Sequence, residues 1–289
     1  MNIQSLSIVV PTGKCINNCP YCVSKQHNED YGNYIIKDGI LPRQYTSRIE
    51  FVRDEGCNSM IITGTAEPQQ NLPFIYKLLE TNKILRKPFY NISLQTTGSN
   101  FHPDDIEQLA AYGVTTLALS VSYLTDDQIN WNCIGTPERA RTMTLKQLTN
   151  CAHENGMNVR LCVNLTNLYK DYSPESYFTI AKNIYHAEQI TFRKIYMEGN
   201  GLEALWVVGH EFDETQFSEI KEYVYKNGKP IARLPYGFTQ YSVNGISTVI
   251  DDNCMDIKRK DNLDDLKYAI LRPNVHLYSA WNDTGSLIF

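Results

Sequence analysis

Cys15-Ile16-Asn17-Asn18-Cys19-Pro20-Tyr21-Cys22 carries three cysteines at C-x3-C-x2-C spacing, directly after a short apolar run that ends at Pro11-Thr12-Gly13. Thiolates crowded this closely point to a metal site. Structural zinc sites and complete iron–sulfur sites draw on four protein ligands, and cuboidal clusters are held by thiolates from short loops of this kind. Here the local count stops at three. Such a cradle leaves one iron without a protein ligand, and an open coordination position lets a metal centre bind and activate a small molecule instead of only stapling a fold. The competing reading is half of a zinc knuckle, with Cys57 or His27 as the fourth ligand. Disulfide use is not expected, because residues 1–11 form a strand-length apolar segment without a charged leader; a reducing, cytoplasmic setting follows.

Outward from this loop, Cys57, Cys133, Cys151, Cys162 and Cys254 are scattered without C-x2-C pairing. That argues against a second cluster, and each is by default a small buried hydrophobe. The 289 residues exceed the usual domain size but fit one α/β barrel with an appendage. A formal net charge of −5 offers no general attraction to nucleic acid, so an RNA or DNA partner is not expected. No apolar run approaches the ~20 residues needed to cross a bilayer. The 19 tyrosines suit wet pockets, where one ring end is apolar and the other hydrogen-bonds.

Strand-like apolar runs alternate with helix-periodic segments, the rhythm of βα units building a parallel sheet. Six units are expected, with strands at 3–10, 59–63, 91–95, 114–121, 158–164 and 189–196. The helix of the first unit begins after Pro42; that of the third opens at Pro103-Asp104-Asp105 and stops before Gly113. Residues 123–136 read as an irregular connection, and Thr136-Pro137-Glu138 as the cap of a helix running to Gly156. Beyond a helix at 213–227 the rhythm changes. A hairpin turning at Asn244-Gly245 is expected across 239–250, a short helix at 263–270, and strand-like pieces at 275–278 and 286–289. The fold class is therefore α/β, a partial (β/α)6 TIM-type barrel over residues 1–228 with a small C-terminal β-hairpin/α+β capping extension over 229–289.

The cysteine spacing, with Tyr21 before the third cysteine, resembles the cluster motif of the radical S-adenosylmethionine (radical SAM) superfamily, and the similarity extends through most of residues 3–197. The resemblance implies a 4Fe-4S cluster ligated by Cys15, Cys19 and Cys22. Its open iron would be chelated by S-adenosylmethionine, which is cleaved reductively to a 5'-deoxyadenosyl radical. Gly64-Thr65-Ala66-Glu67-Pro68 resembles the glycine-rich turn whose backbone contacts the methionine amino group, with Ala66 where relatives carry glycine. Ser120, in Leu119-Ser120-Val121-Ser122, resembles a fourth-strand serine that meets the cofactor, and Ser122 is carried with it. Thr96, Arg160, Asn164 and Met197 complete the implied cofactor contacts: Arg160 and Asn164 toward the methionine carboxylate or the ribose, Met197 toward adenine. The order of Thr-Gly, strand-four Ser and strand-five Asn is distantly similar to the GTP-cyclising molybdenum-cofactor enzymes, but their C-terminal three-cysteine cluster has no counterpart here, so that activity is not expected.

The implied function is hydrogen abstraction from a small polar substrate, a nucleotide or nucleoside among the options. The alternatives are a peptide- or protein-modifying radical SAM enzyme, or a non-catalytic iron–sulfur or zinc-binding scaffold. A reducing donor such as flavodoxin or ferredoxin would be required. Candidate hydrogen donors to a product radical are Tyr278, Cys133 and Cys254. Substrate contacts are expected from residues 123–136, the turn 197–201, and Arg233, Tyr236, Gln240, Arg272, His276, Tyr278 and Trp281.

Overall fold

The computed structural model describes residues 2–27, 36, 41–234, 238–251 and 265–289. The chain opens with β1 (Asn2–Val9), followed by the cysteine loop, a short helix α1 (Val23–Gln26) and α2 (Arg43–Asp54). It continues through β2 (Ser59–Thr63), α3 (Leu72–Lys83), β3 (Asn91–Thr96), α4 (Pro103–Tyr112), β4 (Thr116–Val121), α5 (Asp127–Ile134) and α6 (Leu145–Glu154). Next come β5 (Asn158–Leu165), α7 (Pro174–Asn183), β6 (Gln189–Lys194), α8 (Leu202–Gly209) and α9 (Glu214–Asn227). The C-terminal segment adds β7 (Gly228–Arg233), β8 (Thr239–Val243), β9 (Ile246–Asp251), β10 (Asp265–Leu271) and β11 (Leu277–Tyr278).

All of these strands join one sheet in the order β11-β10-β1-β2-β3-β4-β5-β6-β9-β8-β7. From β10 to β9 every neighbouring pair is parallel, whereas β11, β8 and β7 attach antiparallel at the two edges. Among the described residues the two ends do not pair, so the barrel is open. Residues beyond 228 thus lengthen the sheet on both sides of the six-unit series.

Strand alternation divides the sheet into two unlike faces. Leu94, Leu119, Val121, Leu161, Val163 and Phe192 point to the helical layer and join its core with Leu78, Leu109 and Leu148. Between them stand polar residues of the other face, such as Gln95, Ser120, Asn164 and Arg193, which border a cavity. A closed barrel fills its interior with bulky branched side chains. Here the inner face is polar, and the apolar core lies between sheet and helices.

Several expectations are corrected. Residues 123–136 contain α5, capped by Asp126, whose side chain accepts from the Ile129 amide at 3.0 Å. The following helix starts at Leu145, not after Thr136, because the reciprocal Thr144/Gln147 capping box satisfies its first amides. Thr136 is buried, and its hydroxyl pairs with Ser99. Where a helix is expected at 263–270, residues 265–271 form strand β10, and 263 and 264 lie outside the described residues. The short run suits either state, and backbone pairing with β1 decides for the strand. Of the two closing strand pieces only β11 forms, bridged by Tyr278 to Leu287. The hairpin at Asn244-Gly245 is present, with φ of 53° and 87° as a mirror-image turn requires. A third antiparallel strand, β7, was not anticipated. Among the described residues no helix is long and apolar enough to cross a membrane.

If the Thr144 cap starts α6, Thr144→Ala should lower stability by about 1 kcal/mol in denaturant unfolding. A loss under about 0.3 kcal/mol would argue against that start.

Candidate active site

The cysteine loop leaves the C-terminal end of β1 and is tied to three neighbouring strand ends. The Gln70 side chain clamps it from both sides, accepting from the Ile16 amide at 2.9 Å and donating to the Lys14 carbonyl at 3.0 Å. Asn71 donates to the Pro11 carbonyl at 2.7 Å. From the end of α5, the Gly135 carbonyl accepts from the Asn18 amide at 3.1 Å. Gly135 has φ +68°, and a Cβ there would come within 2.7 Å of the Asn18 carbonyl oxygen, so both backbone and space demand glycine. Lys25 reaches back to Asn18 Oδ1 at 2.6 Å and the Cys19 carbonyl at 3.1 Å.

After β2 the chain turns through residues 64–68. A Cβ on Gly64 would lie 2.7 Å from the Ala66 carbonyl oxygen, so the turn requires glycine there and tolerates alanine at 66. Glu67 is buried at its end. Its carboxylate accepts from the Thr96 hydroxyl, from the Thr97 hydroxyl at 2.7 Å and amide at 3.2 Å, and from Asn17 Nδ2 at 3.4 Å. Burial pushes its pKa up, and the Thr96 and Thr97 hydrogen bonds oppose that shift.

Cys15, Cys19 and Cys22 border a cavity of about 250 Å³ at the C-terminal strand ends. Gly64, Thr65, Ala66, Glu67, Thr96, Ser120 and Asn164 border it too, as does Tyr21. Burial raises the Cys15 and Cys19 thiol pKa values, and each also feels the negative field of Cys22 and Glu67. Such a group of thiols favours deprotonation once a cationic centre is present. Among the described residues no three metal-ligating side chains converge on a single ion. A cuboidal cluster asks something different, since its thiolates bind separate irons around a body. The donor set of soft sulfur ligands in a shared cavity fits that group.

Other candidates are not brought to the cavity. Ser122 does not border it; its hydroxyl shares a hydrogen bond with Tyr21, which does, and its amide donates to Asn130 Oδ1 at 2.8 Å. Arg160 lies lower on β5, where Nε donates to Gln189 Oε1 at 2.6 Å. Met197 stands 48% exposed outside the cavity, while Ile195 and Tyr196 border it. Cys133 lies beside Ser122, and Tyr278 packs on Val9 and Ile270. Cys254 and Tyr236 fall outside the described residues.

The zinc-knuckle ligands separate as well. Cys57 precedes β2 and is fully buried, at the strand end opposite the loop. His27 Nε2 is 2.6 Å from Glu198 Oε2. Among the substrate candidates, Gln240 donates to Ser247, buried Arg272 packs over Tyr278 and Trp281, and His276 Nδ1 is 3.0 Å from the Phe289 carbonyl. Arg233 is exposed on β7.

Sequence reading missed Asn17, Gln95 and Arg193 as cavity residues. With its amide oxygen toward Arg193, Gln95 accepts from Nη1 and Nη2 at 2.7 and 2.8 Å. Arg193 is the register neighbour of Asn164, so strand alignment would have found it.

A family model described as the Radical SAM superfamily matches residues 9–182, more than half of the chain. Among solved structures, Streptococcus suis SuiB bound to S-adenosylmethionine aligns with TM-score 0.60 at 13% identity, covering 96% of this chain and 60% of SuiB. With precursor peptide SuiA bound, SuiB aligns over only 46% of its length, so this chain spans less than two thirds of that protein. Native anSMEcpe with bound AdoMet and Cp18Cys peptide gives TM-score 0.62 at 14% identity, covering 98% of this chain and 75% of the other. HydG, a maturase of the [FeFe]-hydrogenase, gives 0.54 at 14%, covering 76% and 48%. These likenesses are of fold. Comparison with curated proteins finds no match.

Replacing Glu67 by Gln sets an amide N–H₂ among side chains that donate. A stability loss of ~1–3 kcal/mol, with less iron per chain after reconstitution, is expected from denaturant titration and iron quantification. Gly135→Ala should cost ~1–3 kcal/mol by the same titration; a neutral result would contradict the close approach to Asn18.

Proposed function

Because this chain belongs to the radical SAM superfamily, we propose that it is an enzyme using a 4Fe-4S cluster and S-adenosylmethionine to abstract a hydrogen atom from a small polar substrate. The observation that carries the reading is that the three cysteines, the Gly64 turn, Ser120 and Asn164 all border one cavity. When bound, the reduced cluster supplies an electron that splits S-adenosylmethionine into methionine and a 5'-deoxyadenosyl radical, which takes the substrate hydrogen.

The chain's own residues bind and orient. Cys15, Cys19 and Cys22 would hold the cluster and leave one iron open. Around the Gly64 turn, backbone carbonyls can accept from an ammonium group, while Ser120 and Asn164 offer hydrogen bonds to ribose or carboxylate oxygens. Ile195 supplies an apolar wall beside Tyr196, suited to the face of a base. Lys25 and Gln70 fix the loop that would hold the cluster, and Glu67 ties the β2 turn to that loop through Asn17. Enclosure by these strand ends limits water near a reactive carbon, which suppresses side reactions. The reading carries with it a reducing, cytoplasmic setting and a one-electron donor of the flavodoxin or ferredoxin kind.

A peptide or protein substrate is the second reading, favoured by the peptide complexes of SuiB and anSMEcpe. Both readings share the first chemical step. Anaerobically reconstituted protein given S-adenosylmethionine and dithionite should form 5'-deoxyadenosine, and Cys19→Ala should reduce this to background. A fully loaded chain that binds S-adenosylmethionine yet forms none, even with cell extract added, would favour the non-catalytic scaffold.

A further inference from the structure

On β5, Val159, Leu161, Val163 and Leu165 belong to the core shared with the helices, whereas Asn164 borders the cavity. Strand alternation therefore puts Arg160 on the inner face with Asn164. Four residues separate them, or ~13 Å along a strand rising ~3.3 Å per residue. Arg160 does not border the cavity at the cysteines. It sits deeper in the open barrel.

This arginine is part-buried. Burial works against its charge, the neighbouring Cys162 offsets part of that, and the nearby Arg193 adds repulsion of like sign. Its hydrogen bond is to a neutral group, the Gln189 amide oxygen. Among the described residues no carboxylate engages Arg160, and its two Nη nitrogens make no hydrogen bond. A guanidinium has five N–H donors in a planar fork, and one is used here. Removing a cation from water without an opposing charge is costly, so such a position favours an anion.

The register shows how the position is built. Arg160 lies between Ala118 on β4 and Gln189 on β6. The side chain beside it on β4 is a single methyl group. On the β6 side, Gln189 presents its oxygen to Arg160 Nε, while its amide nitrogen makes no hydrogen bond among the described residues. Arginine Nη groups and an adjacent carboxamide N–H₂ form a donor set matched to oxyanions, whose charge-assisted hydrogen bonds are roughly twice as strong as neutral ones.

We propose that Arg160 and Gln189 form a binding position for the anionic group, a carboxylate or a phosphate, of this enzyme's substrate. The assignment rests on the function proposed above and deepens it. Arg160 is then a substrate-recognition residue, not the partner of the methionine carboxylate, because it lies well below the strand-end cavity. A substrate anchored there extends its remaining atoms upward toward Asn164 and Arg193, where the reacting carbon would meet the cofactor.

Calorimetric titration of the reconstituted, S-adenosylmethionine-loaded protein with inorganic phosphate and, separately, succinate tests this without turnover. At least one anion should bind saturably, and Arg160→Gln should weaken that binding about tenfold or more. Affinity for S-adenosylmethionine should stay within about twofold. Phosphate alone binding would assign a phosphorylated substrate; succinate alone would assign a carboxylic acid. If neither binds, if Arg160→Gln binds as well as the parent, or if the variant instead loses affinity for S-adenosylmethionine, the proposal is overturned. Should Arg160→Gln not fold, Arg160→Lys replaces it: a point charge for a planar fork predicts binding weakened at least about threefold, and unchanged binding overturns the assignment. Anion binding by a chain that forms no 5'-deoxyadenosine would sink the proposed function alone, and the converse result would sink this inference alone.

Discussion

The buried carboxylate of Glu67 is the interaction on which the geometry of the strand ends depends. Its oxygens collect donors from the end of β3, through Thr96 and Thr97, and from the cysteine loop, through Asn17. Asn17 also donates to Thr97 Oγ1 at 2.9 Å, so loop, turn and strand close into one network. Burying a carboxylate without partners would drive it to take up a proton. Hydrogen bonds to a charged acceptor contribute roughly 1.5–3 kcal/mol each, and several acting together make this group a fixed point between otherwise separate segments.

That network matters because the loop has little apolar anchorage of its own. Cys15, Cys19 and Cys22 are each only partly buried, and α1 contributes no buried residue. Position comes from polar clamps: Gln70 on the backbone at 14 and 16, Asn71 on Pro11, and the Gly135 carbonyl on Asn18. Gln70 and Asn71 belong to the connection after β2, and Gly135 to the connection after β4. The site is therefore a property of the parallel arrangement, which brings the C-terminal ends of successive strands together.

The two faces of the sheet explain how one protein can be both stable and open. Helix-facing residues such as Leu94, Leu161 and Phe192 are fully buried and supply the core. The inner face carries Gln95, Ser120, Asn164 and Arg193 instead, and an unclosed sheet keeps that face accessible. Arg160 belongs to it by strand parity. Stability thus rests on the outer layer, and the inner layer is free to hold polar groups that recognise cofactor and substrate.

Much of this was legible locally. The C-x3-C-x2-C spacing, the turn at 64–68, the six strand–helix units and the Asn244-Gly245 hairpin are each carried by residues adjacent in the chain, where spacing and turn chemistry act over a few bonds. The readings that failed depended on distant segments. Residues 263–270 suit helix or strand equally well until β1 offers its backbone to β10. Met197 and Ser122 lie beside the right strands but do not border the cavity, whereas Gln95 and Arg193 meet there from β3 and β6. The sequence by itself determined which chemistry the chain can carry and the class of fold that carries it. Only the tertiary structure decided which side chains share the cavity, because register between strands and the face a residue presents are settled by backbone pairing across many intervening residues.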